Sequence, residues 1–278
     1  MTEIDPNNIA PNILQWVEES LKIDHPPPMI RDRLKHYGYT TETIKGVMKD
    51  KYPEEDIQMN FCYDYAALAN PRLVQDPAAV GAVAVDTPAM QLYIIEDFIN
   101  RDACDELAAL CRKYCEPSTT DLGRTIKRTS STCYLAGGHG AVVDMINTKM
   151  AETIGINNNY SEGVQGQVYT VQQEFKRHVD YQTEETIMEL HRQSRLNGQR
   201  TWTFTVYLNN PRRGGETEFT DIGISIEPKP GKAVIWNNLL PNGQPNSLAM
   251  HRGCPVGKGS KVILTKWFRQ HGFGNVFL

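Results

Sequence analysis

His178 and Asp180 are the two residues of this chain whose types and spacing best suit metal binding. They lie two apart, and side chains at positions i and i+2 of a β-strand project from the same face. If residues 175–181 form a strand, an imidazole and a carboxylate therefore share one face. A metal ion held by this pair needs a third ligand, and the candidate is His251, which is followed by Arg-Gly-Cys-Pro.

Two imidazoles and one carboxylate on one side of an octahedron form the site of the non-haem Fe(II) oxygenases. The His-x-Asp pair alone is a weak motif, because a surface His beside a solvated Asp has the same sequence. The elements that surround the pair must decide between these two interpretations.

The composition is that of an ordinary globular protein. Of the 278 residues, 40% are hydrophobic and 22% are charged, and the net charge is −4. This balance does not indicate a nucleic-acid-binding surface, and no apolar run is long enough to cross a membrane. The N-terminus lacks the basic and apolar segments of a secretory signal. The six Cys include no Cys-x-x-Cys pair and form no disulfide framework, so we expect a cytoplasmic protein.

Residues 1–55 are predicted to form a small helical module. Apolar residues recur there at helical spacing in three segments. Gly38 suits the end of the second helix, and Thr40 or Thr41 suits the N-cap of the third. Such a module could bind a protein or could cap the following domain. Residues 56–87, which are rich in small and turn-forming residues, are predicted to be a linker.

From residue 88 to the C-terminus at 278 the pattern changes to that of a separate, mostly β domain. A strand at residues 91–95 leads into a helix with Asn100 as its N-cap, and a second helix covers residues 142–154. Further strands are predicted at residues 165–171, 175–181, 201–208, 223–228, 233–237 and 261–268. Short strands between Gly and Pro turns, preceded by two helices, favour an antiparallel double-sheet barrel backed by helices.

Several motifs accompany the candidate ligands in a fixed order along the chain. They are Arg128-Thr-Ser-Ser131, Tyr169, Gly214-Gly-Glu-Thr-Glu-Phe219, Pro230-Gly-Lys-Ala-Val-Ile-Trp236, Lys261 and Leu264-Thr-Lys-Trp267. Tyr169 lies nine residues before His178, and Lys261 lies ten residues after His251. Over about residues 88–278, this ordered set resembles the prolyl 4-hydroxylase family of Fe(II)/2-oxoglutarate dioxygenases.

The resemblance implies an α+β chain with a mostly β catalytic domain, a double-stranded β-helix of the jelly-roll or cupin-like type. It implies three iron ligands that are also the catalytic residues: His178, Asp180 and His251. It further implies that Lys261 pairs with the distal carboxylate of 2-oxoglutarate, with hydrogen bonds from Tyr169 and Thr217. A buried dianion needs such a cation, because an unpaired carboxylate is costly in a closed pocket. Taken alone, Lys261 also fits a solvated lysine at a strand edge.

The implied activity is 4-hydroxylation of proline in a peptide or protein substrate, with release of succinate and CO₂. Its cofactors are Fe(II), 2-oxoglutarate, O₂ and ascorbate (vitamin C). One alternative is a hydroxylase of a free amino acid or another small metabolite. A second alternative is a catalytically idle barrel that serves as a binding or sensing module, which would be expected to lack a ligand or the lysine. The sequence does not indicate an oligomeric state.

The expected substrate groove matches the family only in part. Arg200 corresponds to a family Arg associated with substrate binding, and Trp267 is expected at the mouth of the site. Phe175 stands where peptide-hydroxylating members usually have Tyr, and Arg269 stands where the family often has His. These four residues are the candidates for substrate binding. The loop at residues 182–197 could be a solvated helix with i,i+4 ion pairs or a lid.

Overall fold

The computed structural model describes residues 8–22, 27–36, 38–53, 59–61, 65–118, 128–135, 139–182, 198–273 and 275–278. The helices are α1 Pro11–Lys22, α2 Pro27–His36, α3 Thr41–Met48, α4 Tyr65–Leu68, α5 Arg72–Gln75, α6 Arg101–Tyr114 and α7 Ala141–Ile154. The first strands are β1 Met59–Phe61, β2 Val83–Ala84, β3 Leu92–Ile95, β4 Glu116–Pro117, β5 Ser131–Leu135, β6 Val164–Tyr169, β7 Phe175–His178 and β8 Arg200–Tyr207. The later strands are β9 Arg213–Gly214, β10 Thr217–Phe219, β11 Ile224–Ile226, β12 Ala233–Asn237, β13 His251–Gly253, β14 Val256–Lys258, β15 Lys261–Arg269 and β16 His271–Phe273.

Two antiparallel sheets form the body of the protein. The larger has eight strands in the order β2-β3-β12-β8-β15-β6-β5-β4, and the smaller has four in the order β11-β10-β13-β7. Short pairs β1-β16 and β9-β14 add to them. Neighbours in these sheets are mostly distant along the chain, so the barrel depends on long-range pairing. The antiparallel double-sheet arrangement predicted from the strand pattern is confirmed.

Strand β15 shows how the larger sheet separates a cavity from the apolar core. Alternate side chains line the cavity: Lys261, Ile263, Thr265 and Trp267. The intervening apolar residues belong to the core on the other face: Val262, Leu264 and Phe268. Because successive side chains of a strand leave opposite faces, one strand can supply both environments.

Helices α6 and α7 cover the core face of the larger sheet. The side chain of Asn100 accepts a hydrogen bond from the backbone N–H of Ala103 at 2.9 Å, so the predicted N-cap of α6 is confirmed. Helix α6 buries an apolar stripe, which consists of Cys104, Leu107, Ala108 and Cys111. Helix α7 ends at Gly155, whose φ of 82° suits a residue without a Cβ atom.

Among the described residues, nine of the sixteen strands were not predicted, and the strand predicted at residues 175–181 is too long. The strand expected to reach Tyr181 ends at His178, because its partner β13 begins at His251, the residue that pairs with His178. Strand β5 was not predicted at all. Its five residues pair with β6 along their whole length, so a long-range contact rather than the local pattern determines this strand.

The three helices predicted in the N-terminal region are present as α1, α2 and α3, and Thr40 is the N-cap of α3. They enclose an apolar cluster of their own that consists of Ile9, Val17, Ile30, Leu34, Tyr39, Ile44 and Met48. Farther along, Leu68 and Leu73 are buried in the main core, and the indole N–H of Trp202 donates to the Leu68 carbonyl oxygen at 2.8 Å. The division into residues 1–55, 56–87 and 88–278 stays a prediction.

In the part of the chain that the structure describes, the helices are too short or too polar to cross a membrane. Of the loop predicted at residues 182–197, residues 183–197 lie outside the described ranges.

Candidate metal centre and the surrounding cavity

The three predicted metal ligands converge. One potential ligand atom from each of His178, Asp180 and His251 lies within 4.8 Å of the other two. The Nε2 atom of His178 is 3.6 Å from Asp180 Oδ1, and that of His251 is 3.9 Å from Asp180 Oδ2. His178 and His251 meet because they are register partners in β7 and β13. Asp180 reaches them from the segment that follows β7.

Both imidazoles are oriented by the same type of contact. Nδ1 of His178 is 2.8 Å from the carbonyl oxygen of Lys176, and Nδ1 of His251 is 3.0 Å from that of Ala249. A proton on each Nδ1 is therefore donated to the backbone, which leaves the lone pair on Nε2. This is the tautomer in which Nε2 can bind a metal ion.

The carboxylate of Asp180 is held by a chain of two hydrogen bonds. The hydroxyl of Thr203 donates to Asp180 Oδ2 at 2.7 Å, and the amide of Asn238 donates to the Thr203 hydroxyl oxygen at 2.8 Å. Because Asn238 occupies the hydroxyl oxygen as an acceptor, the hydrogen of Thr203 is directed to Asp180. The chain thus restrains a ligand carboxylate that lies outside any strand.

The protonation states also suit metal binding. Burial, together with the nearby His251, lowers the pKa of His178 to about 3, so this imidazole is neutral near pH 7. Burial would raise the pKa of Asp180, but His251 and His178 favour the charged form and the pKa is lowered. An ionised carboxylate beside a neutral imidazole is the state in which these groups bind a cation.

Lys261 is a buried cation in the same cavity. Only 2% of the residue is exposed, and its Nζ atom donates to the carbonyl oxygen of Gly215 at 2.8 Å. Burial lowers its pKa to about 8. Within the described ranges no carboxylate lies within ion-pair distance of Nζ, and a buried cation without an anion is costly. The alternative of a solvated edge lysine is therefore excluded, and the cavity suits an anionic ligand.

Hydroxyl groups lie around this lysine. Tyr169 is the register partner of Lys261, and its ring centre is 5.2 Å from the lysine Nζ. Thr217 accepts a hydrogen bond from the hydroxyl of Tyr207 at 2.6 Å. Because that bond uses the oxygen of Thr217 as an acceptor, its hydrogen is available to a ligand.

The residues that form this cavity match a known family of proteins. The sequence model described as 2OG-Fe(II) oxygenase superfamily matches residues 164–269, which include the three candidate ligands and Lys261. Residues 164–269 therefore resemble the oxygenases of that superfamily. Those oxygenases use Fe(II), 2-oxoglutarate and O₂, and the donor set and buried cation of the cavity fit the first two.

Proteins similar to this chain include prolyl 4-hydroxylases. The human prolyl 4-hydroxylase subunit alpha-1 is 28% identical over 254 residues, which is 84% of this chain and 47% of that protein. The chain thus spans about half the length of that relative. Prolyl 4-hydroxylase 5 of Arabidopsis thaliana is 29% identical over 205 residues, 65% of this chain and 68% of that protein.

A solved structure shows the same fold. The viral collagen prolyl hydroxylase of Paramecium Bursaria Chlorella virus-1, in its 2-oxoglutarate complex, is similar with a TM-score of 0.52 and 27% identity. The similarity covers 64% of this chain and 95% of that chain. The predicted double-stranded β-helix is confirmed.

Three of the candidate substrate-binding residues meet around Glu162. Arg200 donates through Nε and Nη2 to the two carboxylate oxygens at 2.6 and 2.8 Å, and Arg269 Nη2 lies 2.7 Å from Oε1. The guanidinium carbon of Arg200 is 4.0 Å from the ring centre of Trp267, which lines the cavity. Burial would raise the pKa of Glu162, but the two guanidinium groups lower it to about 2.

Phe175, the fourth candidate, contacts a predicted ligand directly. Its ring is stacked on the imidazole of His178, with ring centres 3.5 Å apart and an angle of 16° between the planes. Trp236, interpreted from the sequence as a core residue, is only 2% exposed and also lines the cavity. It meets His251 edge to face, with ring centres 4.9 Å apart.

Four residues near the site were not assigned a role from the sequence: Arg128, Glu162, Thr203 and Tyr207. For Thr203 a signal exists, because Thr201, Thr203 and Thr205 alternate with large apolar residues along β8. A polar face on a buried strand predicts a polar cavity. Glu162 has no comparable signal, since a single acidic residue before a strand is usually solvated.

Proposed function

We propose that this protein is an Fe(II)- and 2-oxoglutarate-dependent hydroxylase that 4-hydroxylates proline in a peptide or protein substrate. One observation carries the proposal: three ligand side chains share one cavity with a buried lysine that has no carboxylate within ion-pair distance among the described residues. The similar proteins include prolyl 4-hydroxylases and a collagen prolyl hydroxylase, which supports proline as the substrate residue.

His178, Asp180 and His251 would hold the iron, and all three would thereby be catalytic. Bound Fe(II), 2-oxoglutarate and O₂ together supply an oxidant for an unactivated C–H bond, while 2-oxoglutarate becomes succinate and CO₂. The protein supplies ligands in the correct protonation state. It also supplies the hydrogen bond from Thr203 that restrains the carboxylate of Asp180.

Lys261, Tyr169 and Thr217 would bind the distal carboxylate of 2-oxoglutarate. The ammonium of Lys261 is a compact point charge in a site from which water is excluded, so its attraction for a carboxylate is strong. The Thr217 hydroxyl, oriented by Tyr207, can donate one further hydrogen bond. Charge and hydrogen bonds together orient the cosubstrate in the cavity.

Arg200, Trp267, Phe175 and Arg269 would bind the prime substrate. Glu162 holds both arginines, and Arg200 in turn lies against the indole of Trp267. A rigid wall of this kind can position a proline ring against the cavity and exclude water. Pyrrolidine rings pack well on aromatic faces, which is consistent with a peptidyl proline.

Ascorbate and a cytoplasmic location are further parts of the proposal. Ascorbate would keep the iron in its Fe(II) state between turnovers. The described cysteines Cys104, Cys111, Cys115, Cys133 and Cys254 are free thiols, which suits a reducing compartment. Omission of ascorbate should shorten the productive lifetime of the enzyme, and cell fractionation checks the location.

The test is turnover by the full chain with Fe(II), 2-oxoglutarate, ascorbate and a proline-rich peptide. We expect succinate formation coupled to a mass gain of one oxygen atom on a proline, and no turnover by His178→Ala. The variant His139→Ala, whose imidazole lies against Tyr114 and outside the cavity, is the matched control. A panel of free amino acids tests the small-metabolite alternative. Unchanged turnover by His178→Ala, or binding without any turnover, would contradict the proposal.

A further inference from the structure

The two candidate histidine ligands are supported unequally by the fold. His251 begins β13, an inner strand of the smaller sheet, and Trp236 and Phe219 lie against its ring. His178 ends β7, the outermost strand of that sheet, and its side chain is 14% exposed against 7% for His251. An edge strand is restrained by pairing on one side only. A ligand at its end therefore needs another contact to keep its geometry.

The ring of Phe175 supplies that contact. The two rings are nearly parallel and lie 3.5 Å apart between centres, so Phe175 covers one face of the imidazole. The hydrogen bond from Nδ1 to the Lys176 carbonyl oxygen restrains the ring in its own plane. The hydrogen bond alone would let the imidazole ring tilt, and the stack on Phe175 prevents this tilt. Together they determine where Nε2 points.

Arg128 in turn lies over Phe175, with its guanidinium carbon 5.2 Å from the ring centre. The guanidinium is held by hydroxyl groups, since Nε donates to Ser130 at 3.0 Å and Nη2 donates to Thr132 at 2.7 Å. The hydroxyl of Ser118 lies 2.8 Å from that of Ser130 and completes this support. The cation is therefore rigidly placed over the ring.

The backbone also ties the Arg128 segment to β7. Arg128 and Phe175 form an isolated antiparallel bridge. Beside it, the N–H of Thr129 donates to the carbonyl oxygen of Glu174 at 3.1 Å, and the N–H of Glu174 donates to the Thr129 hydroxyl at 2.9 Å. The free edge of β7 is thus fastened at the point where the stack begins.

We propose that Arg128 and Phe175 are positioning residues that hold the His178 ring in its metal-binding orientation. This inference rests on the proposed function, because it concerns the same metal site. Phe175 supplies the aromatic ring that the stack requires. Outer contacts that orient a metal-binding His commonly change metal affinity by roughly tenfold or more when removed.

The experiment is a titration of the metal-free full chain with Co(II), followed by visible absorption, with and without 2-oxoglutarate. The variants are Phe175→Leu, Phe175→Tyr, Arg128→Met and the double variant Phe175→Leu with Arg128→Met. Tyr134→Leu is the control, because it removes an aromatic ring from strand β5, which begins three residues after Arg128, at a position that is 66% exposed. Thermal unfolding of each metal-free variant confirms that it is folded.

We expect Phe175→Leu to raise the Kd for Co(II) about tenfold and to alter the Co(II) spectrum, whereas Phe175→Tyr retains both. Arg128→Met should cause a smaller rise, and the double variant should bind no more weakly than Phe175→Leu, because Arg128 acts through the ring. An unchanged Kd and spectrum for Phe175→Leu would overturn the inference, and a raised KM for peptide in that variant would leave Phe175 with its proposed substrate contact alone. Failure of the unaltered protein to bind Co(II) would instead overturn the proposed function.

Discussion

The hydroxyl of Thr203 donates a hydrogen bond to Oδ2 of Asp180 at 2.7 Å. Thr203 lies in β8 of the larger sheet, whereas Asp180, a candidate metal ligand, follows β7 of the smaller sheet. Thr203 is fully buried, and the amide of Asn238 occupies its oxygen from the other side. The position of the carboxylate therefore depends on how the two sheets are packed together.

Replacing Thr203 by Val should weaken metal binding. The substitution preserves shape but removes the hydrogen bond, so Asp180 loses its restraint and Asn238 loses its acceptor. We expect the Kd for Fe(II) or Co(II) to rise about tenfold, with a smaller change in KM for peptide. Thr201→Val is the matched control, since that hydroxyl donates to the Phe268 carbonyl oxygen and not to a ligand. Equal metal affinities of the two variants would contradict this role.

The pH dependence of kcat/KM for 2-oxoglutarate should follow the protonation of Lys261. Burial depresses the pKa of Lys261 to about 8, so the ammonium predominates below that pH and the neutral amine above it. We therefore expect kcat/KM for 2-oxoglutarate to fall as the pH rises through about 8. In Lys261→Arg the guanidinium stays charged, so the decline should disappear although the absolute value is lower. If kcat/KM for 2-oxoglutarate falls at the same pH in both proteins, the titrating group is not Lys261.

Tyr207→Phe should weaken cosubstrate binding without affecting the metal ligands. Loss of the phenol hydroxyl leaves the oxygen of Thr217 without its donor, so the Thr217 hydrogen is no longer directed to the ligand. One hydrogen bond of about 1 kcal/mol corresponds to a rise in KM for 2-oxoglutarate of roughly fivefold. Steady-state kinetics measure it, with Tyr134→Phe at an exposed position as the control. An unaltered KM would show that Tyr207 has no part in orienting Thr217.

Glu162→Gln should destabilise the fold and loosen the mouth of the cavity. The carboxylate is shared by Arg200 and Arg269, and its side chain is only 20% exposed, so the substitution removes a largely buried anion that two guanidinium groups share. We expect the free energy of unfolding at pH 7 to fall by about 2–3 kcal/mol, which urea unfolding measures. Glu218→Gln, which breaks a more exposed pair with Arg252, is the comparison and should cost less.

The stability lost in Glu162→Gln should depend on pH in a definite direction. The pKa of Glu162 is depressed in the folded protein from its ordinary 4.5 to about 2. The carboxylate therefore contributes its full stabilisation above about pH 4.5 and loses it as the pH falls toward 2. The stability difference between the unaltered protein and Glu162→Gln should narrow in that interval. A difference that is independent of pH there would show that the ion pairs do not stabilise the fold.

Much of the architecture follows from patterns that span only a few residues. Asn100 and Thr40 are N-caps because their side chains lie within reach of a backbone N–H three residues later. The alternation of Thr with apolar residues in β8 likewise predicts one polar and one apolar face. Such local features depend on the residues themselves, and the sequence alone was sufficient to predict the caps, seven of the described strands and the double-sheet class.

What the local pattern could not decide is which distant residues meet. His178 and His251 face each other only because β7 and β13 pair in one register, and a shift by one residue would turn one imidazole to the opposite face of the sheet. Glu162 between two arginines and Thr203 against Asp180 likewise join segments that are distant along the chain. The amino-acid types determined which chemistry was available to this chain. The long-range packing of two twisted sheets decided where the groups stand, because no residue encodes the position of a neighbour from another strand.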